Sequence, residues 1–303
     1  MSLRIIFMGT PEFAVPSLEA LVQAGCQVVA VVTAPDRPQG RGQKLSMSPV
    51  KACALSHQIP VLQPEKLKAP EFLDQLRVLR ADLQVVVAFR MLPEVVWAMP
   101  PRGTFNLHAS LLPQYRGAAP INWAVINGEK VTGVTTFFLK HEIDTGEILF
   151  QETEPILDED DAGTLYERLM NRGARLVVRT VEAIEQNSIT PAPQVVPQQL
   201  NHAPKIFKET CQINWTRPAV ELRNFVRGLS PYPAAWTVLN GVVFKVLRTS
   251  VVHGNAEPGA IVTDQKSYLH IGTGQDLLAI ESFQPEGKRP MSPKAYFLGN
   301  KLD

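Results

Sequence analysis

Residues 83–108, LQVVVAFRMLPEVVWAMPPRGTFNLH, decide the fold of this chain. The apolar run from Leu83 to Phe89 is typical of a strand buried on both faces of a sheet. A short helix is predicted over Pro93–Met99 and a second strand over Thr104–His108. A strand, a helix and a strand in this order predict two parallel strands that are joined by a crossover.

The same alternation extends towards the N-terminus and beyond residue 108. Further strands are predicted over Leu3–Met8, Gln27–Thr33 and Ile59–Leu62. Helices are predicted from Pro16, from Pro49 with Ser48 as the N-cap, near residues 70–80 and over Ala118–Asn127. Two sequential strands, Gly133–Lys140 and Gly146–Glu152, then bracket a loop, and a long amphipathic helix follows over Ala162–Gln186. The pattern predicts an α/β domain with a doubly wound, largely parallel sheet.

The composition changes after residue 189. Residues 189–205 are rich in proline, glutamine and asparagine, as extended linkers are. A helix is predicted over Ala219–Arg227. Five short strands are predicted after it: Trp236–Leu239, Val242–Leu247, Gly259–Thr263, Ser267–Gly272 and Leu277–Phe283. They indicate a small β-barrel of the OB kind. The expected domains are therefore 1–189, a linker over 190–205, and 206–303.

The overall composition is that of an ordinary folded protein. The 303 residues are 45% hydrophobic and carry a formal net charge of +1, so bulk charge indicates neither nucleic acid nor membrane. Residues 1–189 hold 18 Lys and Arg against 21 Asp and Glu, and residues 190–303 hold 12 against 8. This asymmetry is mild, and ordinary surface variation also explains it. The three widely spaced cysteines, the absence of a signal-peptide pattern and the absence of a membrane-length apolar run predict a cytoplasmic protein with free thiols.

Asn106 and His108 form the first candidate site. Residues two apart on a strand point to the same face, so the amide and the imidazole are expected to share one space at the end of the strand. An amide donor beside a group that titrates near neutral pH can move protons around a reacting carbonyl. Either residue alone is better explained by structure, as a cap or a satisfied core histidine. The pair at this place favours function.

Two loops carry further candidates. Asp144 lies in the turn between two apolar strands, where Asp-Thr-Gly is also an ordinary turn composition. Its functional interpretation requires its carboxylate to fold back beside His108. The loop over residues 33–44 is long and holds three cations, Arg37, Arg41 and Lys44, against one acid. It suits a phosphate backbone or a solvated loop equally well.

The N-terminal turn Gly9-Thr10-Pro11 does not indicate a dinucleotide site. It lacks the glycine-rich fingerprint, and Pro11 removes a backbone donor that a pyrophosphate would need. Phe13 in this turn is expected either to line a pocket at the carboxyl edge of the sheet or to pack in the core. Basic residues are also frequent from Lys205 onward, in a part of the chain whose predicted β-barrel could bind nucleic acid.

Several of these motifs resemble those of one family. The stretches Asn106-x-His108-x-Ser110-Leu111-Leu112-Pro113 and Asp144-Thr145-Gly146 are similar to motifs of the folate-dependent formyltransferases. The remaining motifs, Gly9–Ala14, Pro35–Gly42, Ser48–Lys51 and Tyr115–Ile121, narrow the resemblance to the bacterial methionyl-tRNA formyltransferases. The resemblance covers nearly the whole chain. It implies a Rossmann-like formyltransferase domain followed by an OB-like domain, and transfer of a formyl group from 10-formyltetrahydrofolate to initiator methionyl-tRNA.

The resemblance also implies roles for individual residues. Asn106, His108 and Asp144 are the expected catalytic residues. The residues expected to bind folate are Phe89, Arg90, Leu92, Ser110, Leu111, Leu112 and Pro113. From their charge, Arg37, Arg41, Lys44, Lys205 and Lys208 are expected to bind tRNA, and the resemblance places Arg41 where the family uses an arginine against the initiator tRNA. Arg90 departs from the family, because a glycine is common at its position in the segment that lines the folate pocket.

The chemistry follows from these assignments as a hypothesis. Asn106 donates to the oxyanion, His108 stabilises the same charge and handles protons, and Asp144 orients His108. No metal is expected, no membrane is expected as a partner, and a monomer is the default. Three alternatives stay open: a sugar-nucleotide N-formyltransferase, a hydrolase that releases formate from the same donor, and a non-catalytic RNA-binding relative.

Overall fold

A computed structural model of the chain describes residues 2–39 and 44–302. The strands are β1 (Arg4–Gly9), β2 (Gln27–Val32), β3 (Arg37–Gln39), β4 (Lys44–Ser46), β5 (Val61–Leu62), β6 (Leu83–Val87), β7 (Thr104–His108), β8 (Arg116–Gly117), β9 (Val131–Phe138), β10 (Ile148–Pro155), β11 (His202–Ala203), β12 (Ala235–Leu239), β13 (Val242–Val252), β14 (Ile261–Thr263), β15 (Leu269–Gly272) and β16 (Leu277–Pro285). The α-helices are α1 (Val15–Gln23), α2 (Pro49–Ser56), α3 (Pro70–Leu79), α4 (Glu94–Trp97), α5 (Pro120–Ile126), α6 (Ala162–Glu185), α7 (Ala219–Leu229) and α8 (Pro293–Phe297).

The principal sheet has the strand order β10-β9-β7-β6-β1-β2-β5. β1 pairs in parallel with β2 and β6, β6 with β7, and β2 with β5. β9 pairs antiparallel to β7. The parallel strands bring their carboxyl ends to one edge of the sheet, which is where ligands bind in open α/β folds.

Local sequence explains how the helices begin. Ser48 lies in extended conformation before α2, and its hydroxyl accepts a hydrogen bond from the Lys51 N–H at 3.0 Å, as an N-cap does. Pro49 and Pro70 occupy the first turns of α2 and α3, where a missing N–H costs nothing. The predicted cap and first turn of α2 are thus confirmed.

The sheet is covered on both faces. Ile6, Met8, Val32 and Val86 pack with α3 and α4 in one buried cluster. Leu107 points the other way, towards α6, where a Cβ on Gly173 would come within 2.6 Å of the Leu107 Cδ2. The glycine therefore lets α6 approach β7 closely. This two-sided covering is what the apolar run in β6 predicts.

The C-terminal part of the chain builds a second core. Its antiparallel sheet has the order β12-β13-β16-β15-β14. The register of β13 against β16 shifts at Val246–Arg248 and again at Arg248–Thr249, and such irregularities bend a strand and curl a sheet. Leu222 and Val226 of α7 pack with Phe244 and Phe283 inside it. A Rossmann-like domain followed by a small curled β-domain of the OB kind is confirmed.

By contacts, the chain divides into two compact units. The first holds the residues up to Arg116, Gly133–Glu154 and Tyr166–Asn201, and the second holds Gly117–Thr132, Pro155–Leu165 and the residues from His202 onward. The boundaries expected from the sequence, 1–189, 190–205 and 206–303, stay a prediction.

The structure contains elements that the sequence did not reveal. β3 and β4 form a small antiparallel hairpin. The sequence shows no apolar periodicity there, because a three-residue strand is too short to show alternation. α8 was also missed. β13 continues to Val252, well beyond the predicted end at Leu247.

Candidate active site

Asn106 and His108 lie on β7 between a parallel and an antiparallel neighbour. Asn106 is opposite Val86 of β6 and Phe137 of β9, and His108 is opposite Thr135 of β9. Because Leu107 faces α6, Asn106 and His108 face the other side of the sheet, at its carboxyl edge. The predicted shared face of the pair is therefore present in the structure.

The imidazole of His108 is buried and is held by a backbone carbonyl. Its Nε2 lies 2.9 Å from the carbonyl oxygen of Tyr115. A carbonyl only accepts, so Nε2 must carry the hydrogen in this contact. In the neutral imidazole, Nδ1 is then the nitrogen without a hydrogen, and it is the nitrogen that can take up a proton.

The loop from Ala109 to Tyr115 is fixed by one hydroxyl of the neighbouring strand. Thr135 Oγ1 donates to the Ser110 carbonyl at 2.6 Å and accepts from the Leu112 N–H at 3.1 Å. Gln151 of β10 donates to the same hydroxyl at 3.0 Å and to the Leu112 carbonyl at 2.8 Å. Sequence reasoning missed Thr135 and Gln151, because polar residues on a strand give no signal of which loop they hold.

Asp144 does fold back beside His108. Its Oδ2 lies 3.8 Å from the Nδ1 of His108, and the two side chains are only 13% and 7% exposed. The separation is too long for a hydrogen bond. It still places the carboxylate beside Nδ1 at a site with little water. The sequence could state this approach only as a requirement.

The amide of Asn106 is partly buried, and within the described residues it has no hydrogen-bonding partner in the protein. Its neighbour His108 has both ring nitrogens directed at protein groups. The amide is therefore the donor of this pair that stands ready for a ligand.

The expected folate-binding residues fall into two groups. Ser110, Leu112 and Leu92 are buried, and the Ser110 hydroxyl donates to the Gln114 carbonyl at 2.6 Å. Phe89, Leu111 and Pro113 are partly exposed and Arg90 is exposed, so these four can be reached from outside. The buried group can shape a pocket only from behind.

Arg90 lies across the loop that follows β5. Its Nη1 donates to the Glu65 carbonyl at 2.8 Å, and its Nη2 donates to the Pro64 carbonyl. The guanidinium carbon is 5.7 Å from the centre of the Phe89 ring. Desolvation by burial and the nearby charge of Arg37 lower the pKa of Arg90. The large cation thus braces two loops at the carboxyl edge of the sheet.

Gly9 and Phe13 serve packing at the end of β1. A Cβ on Gly9 would come within 2.7 Å of the Ala14 Cβ and 3.0 Å of the Val87 carbonyl oxygen. Phe13 is buried and meets the ring of Tyr166 edge-on, with 5.2 Å between the ring centres. Desolvation by burial raises the pKa of Tyr166. Of the two expectations for Phe13, packing describes what the structure shows.

The base of the hairpin that carries the predicted tRNA-binding cations is pinned. The Asp36 carboxylate accepts from Lys51 Nζ at 2.5 Å and from Gln63 Nε2 at 2.8 Å. These hydrogen bonds lower the pKa of Asp36. Thr33 and Ser48, on either side of the hairpin, share a hydrogen bond of 2.8 Å between their hydroxyls.

Residues between β3 and β4 lie outside the described part of the chain. Arg37 is exposed at the start of β3. Arg41 lies outside the described residues, and so does the side chain of Lys44. In the second unit Lys205 and Lys208 are both exposed, and Lys205 Nζ lies 5.3 Å from the centre of the Phe207 ring.

The described part of the chain holds neither a metal-binding cluster nor a membrane-spanning helix. No group of three or more His, Cys, Asp or Glu side chains is arranged to hold a metal ion. No described helix is long and apolar enough to cross a membrane. The three cysteines are free.

The chain is similar to known proteins over its whole length. The family model described as formyl transferase matches residues 3–181, and the model of the formyl transferase C-terminal domain matches residues 205–301. A methionyl-tRNA formyltransferase of Bacteroides fragilis is 55% identical over 99% of this chain and 96% of its own. Another, from Parabacteroides distasonis, is 54% identical with the same coverage.

Solved structures share the fold. WlaRD, a sugar 3N-formyl transferase, superimposes with a TM-score of 0.68 at 20% identity, over 95% of this chain and 100% of its own. HypX from Aquifex aeolicus, in a complex with tetrahydrofolic acid, gives a TM-score of 0.64 at 17% identity. It covers 99% of this chain, which spans about half of the length of HypX (48%).

Proposed function

The chain belongs to the formyl transferase family, and we propose that it transfers a formyl group from 10-formyltetrahydrofolate to the α-amine of initiator methionyl-tRNA. The observation that supports methionyl-tRNA as the acceptor substrate is the 55% identity with a methionyl-tRNA formyltransferase across 99% of the chain. The donor is supported by the family and by the tetrahydrofolic acid bound to a protein of the same fold.

The reaction needs a neutral amine, a stabilised oxyanion and a protonated leaving nitrogen. The amine of the aminoacyl group attacks the formyl carbon, the new C–N bond forms, and the carbonyl oxygen becomes negative. When the bond to N10 breaks, the amine has lost one proton and N10 has gained one, so the reaction is balanced without an external acid. The protein has to place a donor at the oxygen and a proton carrier near the two nitrogens.

Asn106 is assigned to the oxyanion. Its amide is at the carboxyl edge of the sheet, partly exposed, and engaged by no other described group. A preorganised donor of this kind contributes roughly 2.7–4 kcal/mol to the stabilisation of a transition state. The Nε2 hydrogen of His108 would have to leave the Tyr115 carbonyl to do the same.

His108 is assigned to proton handling through Nδ1. Nε2 keeps its hydrogen on the Tyr115 carbonyl, so Nδ1 accepts and returns the proton. The imidazolium that forms is stabilised by the carboxylate of Asp144 at 3.8 Å. Asp144 thus acts on the charge of His108 and on its orientation.

The tRNA is assigned to the cations of the hairpin and of the C-terminal domain. Arg37 and Lys44 lie on the two strands of the hairpin, and Arg41 lies between them in the sequence; Lys205 ends the proline-rich segment and Lys208 follows it. Guanidinium and ammonium groups suit phosphate contacts, which position a nucleic acid without reading its sequence. We further propose that the protein acts in the cytoplasm as a monomer, with domains over 1–189 and 206–303.

The test is transfer of labelled formyl to methionyl-tRNA by the purified protein. We expect product with initiator methionyl-tRNA and 10-formyltetrahydrofolate, and a large but measurable fall in turnover in Asp144→Ala. Release of formate in the absence of any acceptor would instead indicate a hydrolase. Formylation of a nucleotide-linked amino sugar in preference to the tRNA would indicate a sugar formyltransferase, and binding of tRNA without turnover would indicate a non-catalytic relative.

A further inference from the structure

The segment after α6 runs beside the loop that carries Asp144. Ile148, the first residue of β10, exchanges two backbone hydrogen bonds with Ala192, at 2.7 and 2.9 Å. The proline- and glutamine-rich stretch therefore continues the sheet as a short antiparallel partner just past this loop. It belongs to the same compact unit as His108 and Asp144.

Gln194 in this segment has an amide that is fully occupied by the loop and by one arginine. Its Nε2 donates to the Asp144 carbonyl at 2.9 Å and to the Gly146 carbonyl at 2.8 Å. Its Oε1 accepts from Arg116 Nε at 3.2 Å and from Arg116 Nη2 at 2.6 Å. Carbonyls only accept and a guanidinium only donates, so the amide fits in one orientation.

The loop that Gln194 holds has a demanding backbone. Asp144 has a left-handed φ of 55°, which an L-residue adopts at a cost unless its surroundings enforce it. At Gly146 a Cβ would lie 1.6 Å from the Phe138 carbonyl oxygen, so only glycine fits. The two hydrogen bonds from Gln194 lie on either side of Thr145 and fix the carbonyls that flank this turn.

Arg116 connects the same amide to the other contact of the imidazole. It directly follows Tyr115, whose carbonyl binds His108 Nε2. The carboxylate near Nδ1 and the carbonyl at Nε2 are thus placed by two loops that meet at one side chain. A misplacement of about 1 Å at such a site can cost roughly a hundredfold in rate.

We propose that Gln194, clamped by Arg116, is the positioning residue for Asp144 in formyl transfer. The proposal rests on the proposed function, because it takes Asp144 to be catalytic. It assigns a part in turnover to a stretch whose composition is that of a linker. Gln194 itself touches no reacting atom.

The experiment is a double-mutant cycle on the full-length protein. Turnover with both substrates saturating is measured for Gln194→Ala, Asp144→Ala and the double variant, together with the KM for each substrate and the melting temperature. We expect Gln194→Ala to lose roughly 10–100-fold in kcat with little change in either KM. In the Asp144→Ala background the same substitution should add no further loss, because the group it positions is already absent.

Two further variants separate positioning from bulk stability. Gln194→Glu keeps the size and the acceptor for Arg116 but removes the donor to the two carbonyls, so we expect its kcat to fall as far as that of Gln194→Ala. Gln198→Ala, an exposed glutamine of the same segment, is the matched control and should behave as the wild type.

The outcomes distinguish this proposal from the proposed function. Wild-type turnover in Gln194→Ala would overturn the positioning role alone. So would a double variant whose fold-loss in kcat equals the product of the losses in the two single variants. Wild-type turnover in Asp144→Ala would overturn the catalytic assignment and the positioning role with it. A loss in Gln194→Ala that is matched by a fall in melting temperature and is absent below that temperature would show that the clamp only stabilises the fold.

Discussion

The Nδ1 of His108 lies 3.8 Å from the Oδ2 of Asp144, although the two residues come from a strand end and from a distant loop. The other ring nitrogen is bound to the Tyr115 carbonyl at 2.9 Å. Each side of the imidazole therefore faces an oxygen, with the carbonyl accepting from Nε2 and the carboxylate lying beside Nδ1. A site that generates an imidazolium for part of its cycle gains from this arrangement.

Two substitutions of His108 separate the hydrogen bond made by Nε2 from the uptake of a proton at Nδ1. In His108→Gln the side-chain amide can reach the Tyr115 carbonyl as Nε2 does, whereas in His108→Asn the shorter amide cannot. Neither variant has a group that takes up a proton near neutral pH. We expect kcat to fall at least a hundredfold in both, since general acid–base catalysis contributes roughly 10²–10⁴-fold. The melting temperature should stay near the wild-type value only in His108→Gln. A variant that keeps wild-type kcat would exclude proton transfer through His108.

Asn106 tests the oxyanion assignment. Asn106→Asp keeps the shape of the side chain but replaces the donor with a negative charge, so we expect a loss of at least roughly a hundred- to a thousandfold in kcat. Asn171→Asp makes the same chemical change at an exposed position of α6 and is the matched control. Steady-state rates of the two variants, measured with both substrates saturating, test the oxyanion assignment. Equal rates for the two variants would show that Asn106 has no part in the transition state.

The sequence predicts those features of the structure that depend on residues close together in the chain. Period-two alternation is enough to put Asn106 and His108 on one face of β7, and Ser48 with Pro49 marks the start of α2. The fold class follows from the alternation of strands and helices in the same way. These features depend on neighbours along the chain, so a single sequence contains them.

The sequence does not predict the contacts between segments that are distant in the chain. The approach of Asp144 to His108 depends on how β9 and β10 return to β7. The clamp formed by Gln194 and Arg116 depends on a proline-rich segment that joins the sheet edge, and a glutamine in such a segment gives no signal of its own. The burial of Ser110 and Leu112 behind the site also requires the loop conformation that Thr135 imposes.

The predicted phosphate contacts give a salt dependence. Arg37→Ala and Arg41→Ala should each raise the KM for the tRNA and leave the KM for the folate nearly unchanged. If each arginine meets one phosphate, the slope of log apparent affinity against log salt should become shallower by about one for each variant. Measurements of tRNA binding between low and moderate salt test this. Equal losses of tRNA and folate affinity would contradict the division between the two substrates.

Glu154 predicts an acid limit to stability. Its buried carboxylate accepts from Arg168 Nε at 2.8 Å and from Arg172 Nε at 2.6 Å, so β10 is tied to α6. Burial alone would raise the pKa of Glu154, but the two guanidinium groups outweigh it and the pKa is lowered. A carboxyl whose folded pKa is lowered stabilises the fold fully above its unfolded pKa of about 4.3. That stabilisation is lost as the pH falls through the folded value.

Glu154→Gln should therefore lower the free energy of unfolding by roughly 1–3 kcal/mol near pH 7. The gap to the wild type should be constant down to about pH 5 and then close as the pH falls further. Urea unfolding from pH 7 to pH 3 measures it. Glu167→Gln, an exposed glutamate on α6, is the control. A gap that widens as the pH falls would have the wrong sign for a lowered pKa.

Asp36 predicts how the hairpin is presented to the tRNA. It precedes Arg37 and is held by Lys51 and Gln63 at 2.5 and 2.8 Å. Asp36→Asn removes the ion pair at the base of the hairpin but none of its cations. We expect the KM for the tRNA to rise several-fold, because the cations are then less well positioned, while kcat and the KM for the folate stay within about twofold. Asp74→Asn breaks the exposed Asp74–Arg77 pair and is the matched control. An equal effect of the two variants on the tRNA would show that the pin at Asp36 is irrelevant to the acceptor, and a fall in kcat would place its effect at the reacting groups instead.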